Sequence, residues 1–557
     1  MGIKHFFKWF KARFPGVVST VKVGESVNKN IDNLMIDMNG IFHTSAQKIY
    51  EYGNFKPRQR LLRPSAPISR NRVDKQIEVF KDICQTIDTV LEIVKPKKRL
   101  VLCIDGSAPL SKQNQQRQRR FVSDNKCAFD SNSITPGTKF MDYLSKYVDW
   151  YIKKQMSQSL VWSGLEVVFS NEKTPGEGEH KLINFIRKCG SGTESYCVYG
   201  MDADLIMLSL GTHLEKFWIL RDSINDYYFI DIGTTHHELS EVLRWESKNS
   251  KAEFDKNSAI DDFILMCFTV GNDFLPHIPG IEILEGGIDF MIDVYKNTCS
   301  SYGHLTNKTE GEISFRKVPF MVFLGTVSQY EQGVMETKLE HKELFFPDPL
   351  LDSSILKGGK NKVDIEKYRA EYNKIHFGDT PLQDVCHEYL KGVQWVLSYY
   401  IYGVPNWKWR YPHHYAPFSY DIADHVKSFK TTQFSKEEPI LPFIQLLSVL
   451  PPKSASLLPS PLDFILKEGL KEFCPEEVKI DLAGKREQWE GVAILPMINY
   501  SVIERLYKEK ECEINENDMK RNKFGKSFVY KKGVSQYLAK SFYGDFLCNV
   551  QVKIIDL

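Results

Sequence analysis

Three things are missing from this 557-residue chain, and each removes a class of answer. No run approaches eighteen consecutive apolar residues, so no membrane-spanning helix is expected. The opening MGIKHFFKWFKARFPGVV is broken by charge too often for a secretory signal, and its Met-Gly start meets Phe6 where an acylation motif wants Ser or Thr. Paired cysteines are the second absence: eleven are scattered singly with no CxxC, which argues against a disulfide framework or a zinc knuckle. A reducing compartment fits, and the cytoplasm is the expected location. Net charge is the third: 73 basic and 71 acidic side chains leave +2, so any nucleic-acid affinity must come from local clustering. No internal repeat at a solenoid period is evident.

What is present is 42% apolar content over a length that exceeds one ordinary core, so two or more domains are expected. From residue 30 to about 290, short apolar runs alternate with amphipathic stretches, the pattern of an α/β domain with a mostly parallel central sheet flanked by helices. NLMID, RLVLCID, LEVVFSN and SYCVYGMD read as buried strands, and three of the four end on or just before an acid. Val73, Ile77, Phe80, Ile83, Ile87, Val90 and Val94 recur at steps of three and four, which predicts a helix packed on that sheet. The stretch 56–72, with three prolines and six basic residues, reads as a solvated loop. The expected division is a first domain over 1–345, a connector at 346–365 around LDSSILKGGKNK, a helical aromatic-rich region or lid over 366–535, and a tail at 536–557 without readable signal.

Seven acids carry the chemistry. Asp37 and Asp105 close two of the strands and should emerge at one edge of the sheet, where ligands of such sheets bind. Asp202 and Asp204 in GMDADLIML, two apart in an extended segment, would point the same way. Glu177 and Glu179 alternate with Gly176 and Gly178 in TPGEGEHKL, where glycine lets backbone approach an ion or phosphate. Asp273 follows a further apolar run in CFTVGNDFLPHIPG. Singly, each is an ordinary cap or surface charge. Together they would repel severely unless cations neutralised them, and an oxygen-only set selects Mg²⁺ or Mn²⁺ over Zn²⁺. Two such ions roughly 4 Å apart could activate water and stabilise a departing 3′ oxygen in phosphodiester cleavage.

Directly after Asp105, GSAPLSKQNQQRQRRFV predicts a helix capped by Ser111. Lys112, Gln116, Arg119 and Arg120 fall at i, i+4, i+7 and i+8, within about 100° on one face. Left alone, such a charge run is a solvated face. Beside the acids, a Lys with an Arg pair suits a terminal phosphate, which would fix the 5′ end and the direction of digestion.

In order along the chain, MGIKHFFKWFKARFP, IDMNGIFH, IDGSAPLSKQNQQRQRRF, NSITPGTKFM, TPGEGEHKL, YGMDADLIML and VGNDFLPHIPG resemble the blocks of the XRN family of 5′→3′ exoribonucleases. GVQWVLSYYIYGVPNWKWRYPHHYAPF, QWEGVAILPMI and MKRNKFG resemble its second conserved region, so the resemblance covers roughly residues 1–535. It implies a fold like that of PIN and flap nucleases. It also implies that all seven acids hold metal, that Lys112, Gln116, Arg119 and Arg120 bind a 5′-monophosphate, and that His43 stacks on the first base with Trp407, or else Trp409 or Trp395, closing the stack. Processive release of mononucleotides from single-stranded RNA in mRNA decay follows, with capped or triphosphorylated ends excluded. Decapping factors are implied partners, and a monomer is expected. A compact member without the long C-terminal extension of the large cytoplasmic ones is expected; the cysteine-rich insertion of many nuclear ones is not seen, with no cysteine between Asp222 and Phe263, and Ser107 and Leu110 are small departures. Two other readings stand beside this one: a flap-type DNA nuclease, sharing the acidic site, and a catalytically inactive RNA-binding scaffold, which would have no need of seven like charges.

Overall fold

The structure, a computed structural model, describes residue 3 and residues 5–53, 72–122, 129–246, 252–358 and 361–556. The stretch 56–71 predicted as a loop lies outside the described residues. At the centre is a nine-stranded sheet. In chain order its first seven strands are β1 (Val18–Val21), β2 (Asn33–Asp37), β3 (Arg99–Cys103), β4 (Glu166–Ser170), β5 (Tyr196–Tyr199), β6 (Phe217–Asp222) and β7 (Tyr227–Asp231). Across the sheet they run β1-β7-β6-β5-β2-β3-β4, and the five strands from β6 to β4 are parallel. Every residue of β2 and β5 is buried, as expected for strands covered by helices on both faces. The helix predicted between the first two of these strands is Arg72–Val94, which buries Phe80, Ile83, Ile87, Val90 and Val94 against the sheet. Among the described residues no helix is long and apolar enough to cross a membrane, and the cysteines are all free.

Connections fix where the site must lie. From β2 the chain steps to β3 and β4 on one side, then returns to place β5 and β6 on the other. The order therefore reverses between β2 and β5, and a crevice opens there at the carboxyl ends of the strands.

Three features of the remainder bear on the expected division. One continuous core holds Leu205 and Ile206 of the first half together with Trp395, Val396 and Tyr399 of the second, so the aromatic region packs onto the first half and shares its core. The expected connector is structured as well: it forms the short helix Pro349–Ser353, and Leu351 and Val363 are buried beside Tyr368 and Tyr372. Nor is the last segment a plain tail. Ser527–Ala539 pairs antiparallel with β4 and with Phe546–Ile555, adding two strands to the sheet, and the expected boundary at 535 falls inside the first of them.

Candidate active site

Strand ends and helix starts bring the seven acids to the β2–β5 crevice. Asp37 is the last residue of β2, and Asp105 follows β3 by two. Asp105 is held from both sides: its N–H donates to Asn39 Oδ1 at 3.1 Å, and its Oδ1 accepts the Gly178 N–H at 2.6 Å. Gly178 opens the helix Gly178–Cys189, whose N-terminus favours negative charge. Glu177 stands at the N-cap of that helix without capping it. Its carboxylate instead pairs with Lys112 and accepts the Tyr399 hydroxyl at 2.7 Å. The two glycines of GEGE act differently. Gly176 sits at φ +105°, which a side chain strains, whereas a Cβ on Gly178 would lie 2.5 Å from Asp37 Oδ1 and 3.3 Å from Asp105 Oδ1.

Asp202 and Asp204 do not lie in an extended segment. The chain turns after β5 and begins the helix Asp204–Leu210, so the two acids come together through a loop-to-helix step rather than a strand repeat. Asp204 accepts the Ile3 N–H at 3.3 Å. The loop of Asp273 is set by Asn272, whose Oδ1 accepts the N–H groups of Phe274 and Leu275 at 2.9 Å.

Burial raises most of these carboxyls, and crowding adds to it. Burial, then repulsion from Asp105 and Asp202, pushes Asp37 well above the usual range. Glu179 is pushed well above by burial, with Asp202 and Glu177 adding to it against Lys112. Asp204 is pushed up to about 7 by burial and by Asp273. Asp273 moves the other way: burial would raise it, but Lys112, with Nζ 2.7 Å from its Oδ2, holds it at about 2. Among the described residues no three His, Cys, Asp or Glu side chains are already closed on one point fit for a metal ion, and two of the seven are committed to Lys112. The donor set nevertheless fits a hard divalent cation: it is all oxygen, mutually repulsive, and faces a space that a single methyl on Gly178 would invade.

The basic helix spans Leu110–Val122. Ser111 lies inside its first turn and is not its cap; the Leu110 N–H is taken instead by the Trp407 carbonyl at 2.9 Å. Lys112, Gln116 and Arg120 are buried, while Arg119 is exposed. Burial and the neighbouring Arg119 push Arg120 down to about 9, and its Nη1 has no hydrogen-bond partner. Arg117 faces away and donates to the carbonyls of Phe473 and Pro496, tying the helix to the second region. His43 lies half-buried beside the two arginines, and burial together with their charge pushes it down to about 4, so its ring is neutral at pH 7. Of the three tryptophans, Trp395 and Trp409 are core, tilted against each other at 5.4 Å, and only Trp407 is partly open to solvent.

Several contributors were missed from sequence. Tyr399 is stacked on His180 at 3.7 Å and reaches Glu177, which the aromatic run alone did not reveal. Lys181 is buried and donates to the carbonyls of Ile104 and Asn171 at 2.7 and 2.8 Å, bracing the loops after β3 and β4. Asn39 and Lys181 sit inside quoted motifs but carry no charge pattern that singles them out.

Comparison with known proteins agrees with this arrangement. The model for the XRN 5'-3' exonuclease N-terminus matches residues 1–128 and 122–223, and that for the Xrn1 helical domain matches 253–348 and 356–551. The chain is 29% identical to human 5'-3' exoribonuclease 1 over 94% of its length, covering 35% of that protein. It is 26% identical to the Drosophila melanogaster 5'-3' exoribonuclease 2 homolog, over 97% of this chain and 74% of that one. With the Saccharomyces cerevisiae 5'-3' exoribonuclease 1 the identity is 26%, over 95% of this chain and 44% of the other. The chain thus spans between about a third and three quarters of these relatives' length. An acidic crevice at the switch point of a parallel sheet, a basic helix beside it and two matching models over nearly the whole length lead to one assignment: this chain belongs to the XRN family of 5′→3′ exoribonucleases.

Proposed function

We propose that this chain hydrolyses single-stranded RNA processively from a 5′-monophosphate end, releasing 5′-mononucleotides, and that it serves RNA decay. The observation that carries the proposal is Lys112: one buried ammonium bridges Glu177 and Asp273 of the acidic crevice while lying on the helix face of Gln116, Arg119 and Arg120. Phosphate recognition and bond cleavage are therefore mechanically one site. Asp37, Asp105, Glu177, Glu179, Asp202, Asp204 and Asp273 would hold two Mg²⁺ ions, with Mn²⁺ as a substitute. When bound, the ions would supply activation of water and stabilisation of the leaving 3′ oxygen.

This chain's own residues do the rest. Arg119 and Arg120 receive the terminal phosphate by charge-assisted hydrogen bonds, and Gln116 adds a neutral donor. A triphosphate or cap adds bulk beyond the terminal phosphate, and that bulk would have to pass Gln116 and Arg120, both already buried. His43, neutral beside the arginines, and Trp407 stack on the first base, which tolerates any sequence. The cytoplasm is the proposed compartment, and decapping factors are the proposed suppliers of substrate. The test compares matched RNAs bearing 5′-monophosphate or 5′-hydroxyl ends with Mg²⁺. The monophosphate is expected to be degraded at least tenfold faster, and Arg119→Ala to narrow that ratio. Equal rates on both ends would remove the pocket from the account.

A further inference from the structure

We infer that Gln445, in the second region, is a positioning residue for end recognition: its buried amide fixes Gln116 as a donor facing the 5′-phosphate. The inference rests on the phosphate-pocket reading above. Gln445 lies on the helix Pro442–Val449 and is completely buried. Its Oε1 accepts the Ala108 backbone N–H at 2.8 Å. A backbone N–H can only donate, so the oxygen end of the Gln445 side chain is fixed there and its Nε2 must face the other way. That Nε2 donates to Gln116 Oε1 at 3.2 Å. The oxygen of Gln116 is thereby occupied, and its two N–H groups are left for the pocket.

An amide without this support has two orientations of similar energy, one presenting hydrogens to an anion and the other a lone pair. Gln445 removes the second. The lock is itself supported from both ends. Gln113 Nε2 donates to the Ala108 carbonyl at 2.8 Å, holding the loop between Asp105 and the basic helix. At the other end Asn522 Oδ1 accepts the Phe443 N–H at 2.8 Å, and Asn522 Nδ2 donates to the Tyr507 hydroxyl at 2.7 Å, which anchors the start of the Gln445 helix. This gives the late MKRNKFG motif a role in reading the RNA end, although it lies far along the chain from all seven acids of the crevice.

Gln445→Glu tests the inference. It keeps the acceptor for Ala108 but offers a second acceptor to Gln116, whose N–H groups then turn toward the new carboxylate and whose oxygen turns toward the phosphate. Using the full chain with Mg²⁺, the readout is kcat/KM on 5′-monophosphate RNA divided by kcat/KM on 5′-hydroxyl RNA. The ratio is expected to fall about tenfold, chiefly through KM on the monophosphate substrate. Gln445→Met, which leaves Gln116 free to flip, should lower it less. In a Gln116→Met background, Gln445→Glu should cause no further fall, because its effect travels through Gln116. A loss equal on both substrates, or one that persists in the Gln116→Met background, would make Gln445 a packing residue and overturn the inference. If Gln445→Glu does not fold by thermal unfolding, Gln445→Met carries the same cycle. A wild-type protein that does not distinguish the two ends, or a Gln116→Met variant that keeps the full ratio, would instead defeat the pocket reading itself.

Discussion

Gly178→Ala is expected to abolish RNA hydrolysis while leaving the protein folded. The position is the first residue of a helix and has no positive φ, so alanine is tolerated by the backbone. The added methyl, however, would lie 2.5 Å from Asp37 Oδ1, well inside contact distance, and 3.3 Å from Asp105 Oδ1. Either Asp37 must swing away or the helix must retreat and lengthen the 2.6 Å hydrogen bond to Asp105. Displacements of that size at a reacting centre cost on the order of 10²-fold or more in rate. The checks are turnover on 5′-monophosphate RNA and the midpoint of thermal unfolding. An active Gly178→Ala protein would mean that the space between Asp37 and Asp105 is not where the chemistry happens.

Lys112→Met is expected to be both inactive and strongly destabilised. Lys112 neutralises Glu177 and Asp273, both nearly without exposure, and removing one partner of a buried ion pair costs about 3–5 kcal/mol. The pH dependence has a definite sign. Burial raises Glu177 even with Lys112 present, and without Lys112 burial would also raise Asp273, now held at about 2. Carboxyls with folded values above their unfolded ones oppose folding fully at high pH and less as they take up protons. The gap in stability between Lys112→Met and wild type should therefore narrow from pH 8 to pH 5. Mg²⁺ should narrow it too, since a cation among the same carboxylates replaces the lost positive charge. A gap that is constant with pH and indifferent to Mg²⁺ would place the cost in packing rather than charge.

Much of this arrangement was legible in the sequence because it follows local rules. NLMID is a strand in full, and strand ends in a parallel sheet share one edge, so Asp37 and Asp105 could be placed together without any structure. The basic helix was legible from its spacing. Where sequence reasoning went astray, long-range contacts decided. Asp202 and Asp204 looked like a strand pair, but the chain turns into a helix after β5. FWILRD and YYFID were not singled out as β6 and β7. The C-terminal hairpin was illegible because its outer residues, such as Val534 and Leu547, are exposed apolars that blur the alternation, and its partner β4 lies some 360 residues earlier. Gln445 carries no charge and sits in an apolar helix, so nothing local marks it.

The central claim is that the acidic crevice cuts the bond next to a phosphate gripped by the basic helix. The most direct measurement is the first product formed from RNA labelled at its 5′-monophosphate, followed in the presence of Mg²⁺. The account predicts a labelled mononucleotide from the earliest time point, with no labelled fragments of intermediate length. A ladder of shortening labelled fragments, or internal cuts, would contradict it, because either would show that the chain does not begin at the 5′ end.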